Sequence, residues 1–244
     1  MSLKGIILAG GNGTRLMPLT KAVNKHLLPI GDKPMLQHCV EKFTQVGITE
    51  IMVITGGEHL GGIAEFLGSG KDLKCNITYR VQEGAGGIAH ALALAENFIG
   101  EQDDMCVILG DNIFESGLSY AVNEWHVRPN NSAMILLKEV ADPDRFGVAT
   151  IEEGKVRKIV EKPVFPETNY AVTGIYFYDN NVFDIIRKCT PSKRGELEIT
   201  DVNNKYISIG KMKCAMLDAW WTDAGTHKSY KRANDLYNGI LPKE

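Results

Sequence analysis

The sequence lacks the features that mark several large classes of protein. Its five cysteines are odd in number and far apart, and no Cys-x-x-Cys pair occurs, which argues against both a disulfide framework and a structural zinc site. No run of 18 apolar residues occurs, and no basic segment precedes a long apolar stretch. We therefore expect no membrane span and no secretion signal, and we expect the protein to be cytoplasmic.

A large surplus of charge of either sign is also missing. The 27 Lys and Arg residues against 30 Asp and Glu residues give a net charge of −3, so the chain is a poor candidate for binding nucleic acid through a basic face. The hydrophobic fraction of 44 % is that of an ordinary globular protein and excludes a disordered or collagen-like chain. At 244 residues the chain is long enough to bury a sizeable core.

Short apolar runs alternate with helical patterns in the first half of the chain. These predict strands at 4–8, 50–54, 76–81 and 105–109, and helices at 33–46, 60–67 and 88–98. The less regular second half predicts strands at 133–140, 148–151, 155–160, 171–178 and 211–217, and helices at 180–188, 200–209 and 227–238. The alternation implies βαβ units, so we predict an α/β protein, a three-layer Rossmann-like fold with a mixed, mainly parallel central sheet.

A glycine-rich loop, Gly10–Gly13, follows the first predicted strand. Successive backbone amides in such a loop suit a phosphate group, although a lone glycine loop is equally often a simple turn. Leu16 stands where a dinucleotide-binding loop needs glycine, which disfavours an NAD-dependent oxidoreductase. No Gly-Lys-Ser/Thr follows, so the loop is not a P-loop. Arg15 and Lys25 are the nearby cations that a triphosphate would require.

An aspartate follows the predicted strand at 105–109. Asp111 would therefore lie at the carboxyl edge of a parallel sheet, where ligands bind in folds of this class. Taken alone, an aspartate at a strand end is more often a turn or a helix cap.

Several long motifs together resemble the signature of the sugar-1-phosphate nucleotidyltransferases. The motifs are Gly10-Gly11-Asn12-Gly13-Thr14-Arg15-Leu16, Lys25-x-Leu27-Leu28-Pro29, Gly110-Asp111-Asn112, Glu161-Lys162-Pro163, Asn169-Tyr170-Ala171-Val172-Thr173-Gly174, Arg194-Gly195-Glu196-Leu197-Glu198 and Thr222-Asp223-x-Gly225-Thr226. The resemblance covers roughly residues 3–230. Within that family, the pattern is most similar to the members that use dTTP and glucose 1-phosphate.

The resemblance implies transfer of a nucleotidyl group to a sugar 1-phosphate with release of pyrophosphate. Mg²⁺ would be held by two carboxylates, and carboxylate and phosphate oxygens are the ligands that this ion prefers. It implies a single catalytic domain over 1–244, with a nucleotide-binding half at 1–112, a sugar-phosphate half at 113–226, and a C-terminal helix and tail at 227–244. A homo-oligomer is the expected assembly.

The resemblance also assigns roles residue by residue. The catalytic cations would be Arg15, Lys25 and Lys162. The nucleotide would contact Leu8, Gly10, Gly11, Gly13, Thr14, Arg15, Lys25, Gln82, Gly87 and Asp111. The sugar phosphate would contact Asn112, Gly147, Glu161, Lys162, Val172 and Arg194. The metal would be held by Asp111 and Asp223.

Some family positions differ in this chain. His26 stands where glutamine is common after the loop lysine, His90 stands where glutamine is common after the base loop, and Phe146 replaces a common tyrosine. The His26 imidazole would still be able to donate to phosphate. Use of UTP or another sugar 1-phosphate, and a non-catalytic nucleotide-sugar sensor, stay open as alternatives. The chain resembles a short form of the family, so we expect regulation or assembly through a longer C-terminal segment to be absent or built differently.

Overall fold

The computed structural model describes residues 2–130 and 132–240. Thirteen strands lie within these residues: β1 Leu3–Ala9, β2 Pro29–Ile30, β3 Lys33–Pro34, β4 Glu50–Gly56, β5 Asn76–Gln82, β6 Asp104–Leu109, β7 Asn112–Phe114, β8 Ala133–Glu139, β9 Gly147–Glu152, β10 Lys155–Glu161, β11 Tyr170–Tyr178, β12 Met212–Met216 and β13 Trp221–Asp223. Seven α-helices accompany them: α1 Met35–Thr44, α2 Gly57–Leu67, α3 Ile88–Ala93, α4 Ser119–His126, α5 Val182–Ile186, α6 Ile199–Ser208 and α7 His227–Tyr237. The tail at 241–244 lies outside the described residues.

The described residues form two compact units that alternate along the chain. We call the unit at 5–85, 108–118 and 219–240 the N-terminal unit, and the unit at 2–4, 86–107 and 119–218 the middle unit. Each unit is therefore assembled from three separate stretches of chain. The predicted domain boundaries at 112 and 226 stay a prediction.

The N-terminal unit is built on parallel strands. β1 pairs with β4, and β4 pairs with β5, from Gly5 opposite Ile51 to Gly56 opposite Gln82. The β1 residues from Ile6 to Ala9 are buried, as expected for a strand covered on both faces. Because the three strands are parallel, their carboxyl ends lie at one edge of the sheet. The glycine loop after β1, Gly56 at the end of β4 and Gln82 at the end of β5 are therefore all at that edge.

A small antiparallel ribbon completes the N-terminal unit. β7 and β13 pair with Trp221 opposite Phe114 and Asp223 opposite Asn112. Neither strand was expected, because three residues are too few to show an alternating pattern. The ribbon places Asp223 beside the Gly110-Asp111-Asn112 motif, more than a hundred residues away in sequence.

The middle unit combines antiparallel and parallel pairing. β8 pairs antiparallel with β11 and parallel with β12, while β9 and β10 form the predicted hairpin. Helix α6 packs on β10 and β12, and the Tyr206 ring on α6 lies 5.9 Å from that of Tyr178 on β11. The unexpected helix α4 buries Ala121, Val122 and Trp125, a helical spacing that the sequence does display.

The predicted start of helix α1 is wrong because its expected N-cap residue has another partner. The pattern predicted a helix from Lys33 with Asp32 as its N-cap, but α1 begins at Met35, and Lys33–Pro34 form β3. The Asp32 carboxylate instead accepts a hydrogen bond from the Tyr237 hydroxyl on α7 at 2.7 Å. A partner about two hundred residues away has replaced the local cap. Helices α3 and α5 also end earlier than predicted, at Ala93 and Ile186.

Helix α2 offers a test of these assignments. Gly61 is exposed, and a Cβ atom at this position would meet no heavy atom within 4 Å. We expect Gly61→Ala to raise the free energy of unfolding by about 0.5–1 kcal/mol, since alanine loses less backbone entropy in a helix. Urea unfolding measures the change. Gly70→Ala is the contrasting variant, because its Cβ would lie 2.7 Å from the Cys75 carbonyl oxygen and its φ of 86° is left-handed, so it should destabilise. A destabilising Gly61→Ala would contradict the helix.

Candidate active site

The glycine-rich loop of the N-terminal unit is closely covered by two side chains. A Cβ atom on Gly10 would lie 2.7 Å from Gln82 Oε1, and one on Gly11 would lie 3.2 Å from Lys25 Nζ. Gly13 has a φ of 65°, which favours glycine, and its carbonyl accepts a hydrogen bond from the Thr20 hydroxyl at 2.8 Å. The loop thus holds an amide and an ammonium group directly over its backbone, where only glycine leaves room.

Lys25 and Asp111 form the central ion pair of this unit. Lys25 Nζ lies 2.6 Å from Asp111 Oδ2, and the two side chains are only 12 % and 16 % exposed. Burial by itself would raise the pKa of Asp111. The opposing interactions, of which the charge of Lys25 is the largest and the hydrogen bonds from Lys25 and Asn112 are others, together outweigh burial and hold the pKa well below its usual range. Asn112 Nδ2 donates to Asp111 Oδ1 at 3.1 Å, which satisfies the second carboxylate oxygen. The carboxylate is therefore ionised at neutral pH.

Three charged groups converge on Gly225. A Cβ atom there would lie 3.1 Å from Arg15 Nη2, 3.3 Å from Asp223 Oδ2 and 3.4 Å from Asp111 Oδ2. The Ala224 amide also donates to the Asp111 carbonyl at 2.7 Å, which fixes the two segments together. The structure thus brings together Arg15, Lys25, Asp111 and Asp223, which the family resemblance had grouped. Their catalytic and metal-binding roles stay predictions.

The donor set around Gly225 fits a hard divalent cation. Two carboxylates face a space that any side chain at 225 would fill, and Mg²⁺ typically uses one or two protein carboxylates while its substrate supplies further oxygens. Within 2–130 and 132–240, no group of three or more His, Cys, Asp or Glu side chains could hold a metal ion. The residues therefore suit a metal that arrives with a phosphate better than a complete protein cage.

His26 is placed differently from the sequence-based expectation. Its side chain is 1 % exposed, and its Nδ1 lies 2.9 Å from Asn24 Oδ1. Burial first, and then the neighbouring Lys25 charge, lower the pKa of His26 well below its ordinary value. The imidazole is thus neutral and buried, and the expected donation to a phosphate is not what this geometry supports.

The remaining nucleotide residues occupy two places. Leu8 is buried in β1, and Gln82 is buried at the end of β5 above Gly10. Gly87 belongs to the middle unit, where its φ is 91° and a Cβ atom would lie 2.6 Å from the Leu197 carbonyl oxygen. Glycine is required at this position on both counts.

A second charged cluster lies in the middle unit. Glu161 pairs with Gly147 across the hairpin, accepts a hydrogen bond from the Thr200 hydroxyl at 2.7 Å, and lies 3.3 Å from Lys162 Nζ. Lys162 has a φ of 44°, and its amide donates to the Phe146 carbonyl at 2.9 Å. Three of the predicted sugar-phosphate residues are thus neighbours. Val172 is buried in β11, where it pairs with Leu137.

Arg194 is bound mainly by a partner that the sequence did not suggest. Its Nη2 donates to both Glu198 carboxylate oxygens, at 2.9 and 3.0 Å, whereas Glu161 Oε1 is 4.0 Å away. The hydrogen bond to Glu198 raises the pKa of the guanidinium above its ordinary value. Residues 194–198 precede α6 and are not helical, so a spacing of four gave no helical signal for this pair.

Comparison with known proteins now adds to this geometry. The family described as nucleotidyl transferase matches residues 4–239. The chain belongs to this family. A glucose-1-phosphate thymidylyltransferase of Neisseria meningitidis is 41 % identical over 234 residues, which cover 95 % of this chain and 81 % of that protein. One of Mycobacterium tuberculosis is 40 % identical over 238 residues, or 96 % of this chain and 82 % of that protein.

Solved structures agree with these relatives. A Bacillus anthracis protein described as a candidate glucose-1-phosphate thymidylyltransferase, in complex with a sucrose, is 52 % identical, with a TM-score of 0.93 over 100 % of this chain and 98 % of its own. A UDP-glucose pyrophosphorylase in complex with UDP-glucose is 26 % identical, with a TM-score of 0.87 over 99 % and 100 %. The predicted fold class and the predicted family are confirmed. Among the described residues, no helix is both long and apolar enough to span a membrane.

The burial of His26 predicts a pH dependence of stability. Below about pH 6.5 this imidazole takes up a proton in the unfolded chain but stays neutral in the folded protein. The free energy of unfolding should therefore decrease as the pH is lowered. Between pH 7.5 and 5.5 we expect the wild type to lose about 1 kcal/mol more than His26→Gln. Urea unfolding at the two pH values measures the difference, with the exposed His126→Gln as matched control. Equal losses in wild type and His26→Gln would contradict a buried neutral imidazole.

Proposed function

We propose that this protein transfers a thymidylyl group from dTTP to glucose 1-phosphate, forming dTDP-glucose and pyrophosphate. The observation that carries the proposal is the convergence of Arg15, Lys25, Asp111 and Asp223 beside a glycine loop. The relatives at about 40 % identity that bear the name glucose-1-phosphate thymidylyltransferase support the choice of substrates.

The reaction needs alignment and charge neutralisation more than a base. A phosphate oxygen of the sugar phosphate forms a bond to the α-phosphorus of the triphosphate as the bond to the bridging β-phosphate oxygen breaks. The attacking phosphate is already an anion, so no proton has to be removed. Arg15 and Lys25 would hold the triphosphate and stabilise the charge that develops on the leaving pyrophosphate.

Asp111 and Asp223 would hold Mg²⁺, which would neutralise triphosphate oxygens when bound. Base recognition would use Gln82 and the Gly87 backbone, because a Gln amide can both donate and accept toward a pyrimidine edge. Leu8 would pack against the base. The loop amides of Gly10, Gly11, Gly13 and Thr14 would face the phosphates.

The middle-unit cluster would bind the sugar phosphate. Lys162 and Arg194 are its cations, and in the structure each is close to a carboxylate, Glu161 or Glu198. A phosphate dianion would compete with Glu198 for Arg194. Glu161 and the backbone of Gly147 and Val172 would meet the sugar hydroxyls. Asn112, in the N-terminal unit, stays a predicted sugar contact. The homo-oligomer and the cytoplasmic location stay predictions.

A UTP-dependent enzyme is the nearest second candidate. The 26 % identical UDP-glucose pyrophosphorylase aligns with 99 % of this chain, and uracil presents the same hydrogen-bonding edge as thymine. A survey of pyrophosphate release with dTTP, UTP, CTP and GTP, each with several sugar 1-phosphates, decides between them. We expect the highest kcat/KM for dTTP with glucose 1-phosphate and no release without Mg²⁺. A higher kcat/KM for UTP would favour the second candidate. If no combination of nucleotide and sugar 1-phosphate released pyrophosphate, only the nucleotide-sugar sensor would be left.

Arg15 provides the sharpest test of the catalytic role. Because its guanidinium would stabilise the negative charge that develops in the transition state, Arg15→Ala should lower kcat/KM by ~10²–10³. Lys21→Ala is the matched control, since Lys21 is an exposed cation in the same segment and should change kcat/KM less than twofold. A loss below tenfold for Arg15→Ala would remove this residue from the reaction.

A further inference from the structure

The position of Lys25 depends on a short turn that Asn24 caps. The segment Lys25–Leu27 is a single 3₁₀ turn, and Asn24 Oδ1 accepts a hydrogen bond from the His26 amide at 2.8 Å. The same oxygen lies 2.9 Å from His26 Nδ1. Because a carboxamide oxygen can accept but cannot donate, the ring nitrogen must carry the proton in this contact. The Asn24 side chain is itself buried, with 6 % exposure, so both bonds are shielded from water.

His26 connects this turn to the turn that presents Asp111. A Cβ atom on Gly110 would lie 2.8 Å from His26 Cδ2, so the imidazole packs directly against the backbone there. The Gly110 amide donates to the Leu8 carbonyl at 2.9 Å, which ties the same turn to the end of β1. A single buried ring therefore separates the segment carrying Lys25 from the segment carrying Asp111.

The distance between Lys25 and Asp111 follows from this packing. Lys25 Nζ reaches Asp111 Oδ2 at 2.6 Å and also lies over Gly11. A lysine side chain has several rotatable bonds, so its ammonium group is placed only as well as its backbone is held. Asn24 Oδ1 holds that backbone by accepting from the His26 amide, and it orients the ring by accepting from His26 Nδ1. The His26 ring sets how closely the segment approaches Gly110.

We propose that Asn24 and His26 are positioning residues that hold Lys25 against Asp111, and that neither contacts the phosphates. This inference rests on the proposed function for the catalytic part of Lys25's role. In this proposal His26, which stands where glutamine is common, supports Lys25 by packing against Gly110 and bonding Asn24.

The two ends of the Asn24 carboxamide can be tested separately by substitution. Asn24 Nδ2 is buried and makes no hydrogen bond within the described residues. The carboxamide oxygen alone supports the turn. Asn24→Asp retains acceptor oxygens and removes Nδ2, whereas Asn24→Leu has a similar shape and removes both.

The test is a double-mutant cycle between positions 24 and 25. We expect Asn24→Leu to lower kcat ten- to a hundredfold, because a misplacement of about 1 Å can cost that much, and to leave KM for glucose 1-phosphate within twofold. Asn24→Asp should stay within fivefold of the wild type. In a Lys25→Ala background, Asn24→Leu should have less than a twofold further effect, since its effect is transmitted through the lysine. Equal losses in both backgrounds, or a loss below threefold for Asn24→Leu alone, would overturn the inference.

A second measurement separates this inference from the proposed function. Hydrogen exchange of the wild-type His26 amide should be slow and should become faster in Asn24→Leu but not in Asn24→Asp. Calorimetric titration with dTTP and Mg²⁺ repeats the cycle on binding alone, so it applies even if no sugar phosphate reacts. If Asn24→Leu does not fold, Asn24→Ala takes its place with the same expectations. Unchanged exchange together with an additive binding cycle would overturn the positioning role while leaving the proposed function untouched.

Discussion

The largely buried ion pair between Lys25 and Asp111 is the constraint on which the N-terminal unit depends. Removing two charges from water is costly, and such a pair is favourable only with good geometry and further hydrogen bonds. Here the distance is 2.6 Å, and Asn112 supplies the additional bond to the carboxylate. Apolar residues of the same volume would stabilise the fold at least as well. The pair is therefore best explained by what its charges do for a polyanionic ligand.

Both charged clusters follow the same electrostatic principle. Lys25 is close to Asp111, Lys162 to Glu161, and Arg194 is held by Glu198. These three of the four cations proposed to bind phosphate thus each have a carboxylate near them, which limits repulsion between cations in the free protein. An arriving phosphate would be able to draw the cation to itself, and at Asp111 the carboxylate released in this way is the one proposed to hold Mg²⁺. Charges are positioned before the substrate binds, which is what electrostatic catalysis requires.

The sequence predicted the parts of this arrangement that depend on local pattern. Four apolar runs of the first half became β1, β4, β5 and β6, and the rule that ligands bind at the carboxyl edge placed Asp111 correctly. Spacing alone did not predict the neighbourhood of Asp223, because the ribbon that brings it there has strands of three residues. That neighbourhood came from the family motif.

Contacts between distant residues explain the errors. Asp32 has the local features of an N-cap, but Tyr237 takes its carboxylate, so α1 begins later. His26 has the features of a phosphate donor, but Gly110 lies over its ring and Asn24 takes its Nδ1. In both cases the prediction that the side chain forms a hydrogen bond was correct. The identity of its partner was wrong, because a partner is set by tertiary packing that no local pattern contains.

Thymine and uracil nucleotides differ too little for the proposed base contacts to separate them sharply. Thymine and uracil share the hydrogen-bonding edge that we propose Gln82 recognises, so an amide there would not discriminate between them. The difference is one methyl group, and an apolar contact with a methyl group is worth about 1–3 kcal/mol, or roughly 10–200-fold in kcat/KM. Leu8 is an apolar candidate for that contact, but it is buried in β1 with 7 % exposure and offers little surface. A preference for dTTP over UTP would therefore be a matter of degree, since the charged groups proposed to perform the transfer would act on either nucleotide.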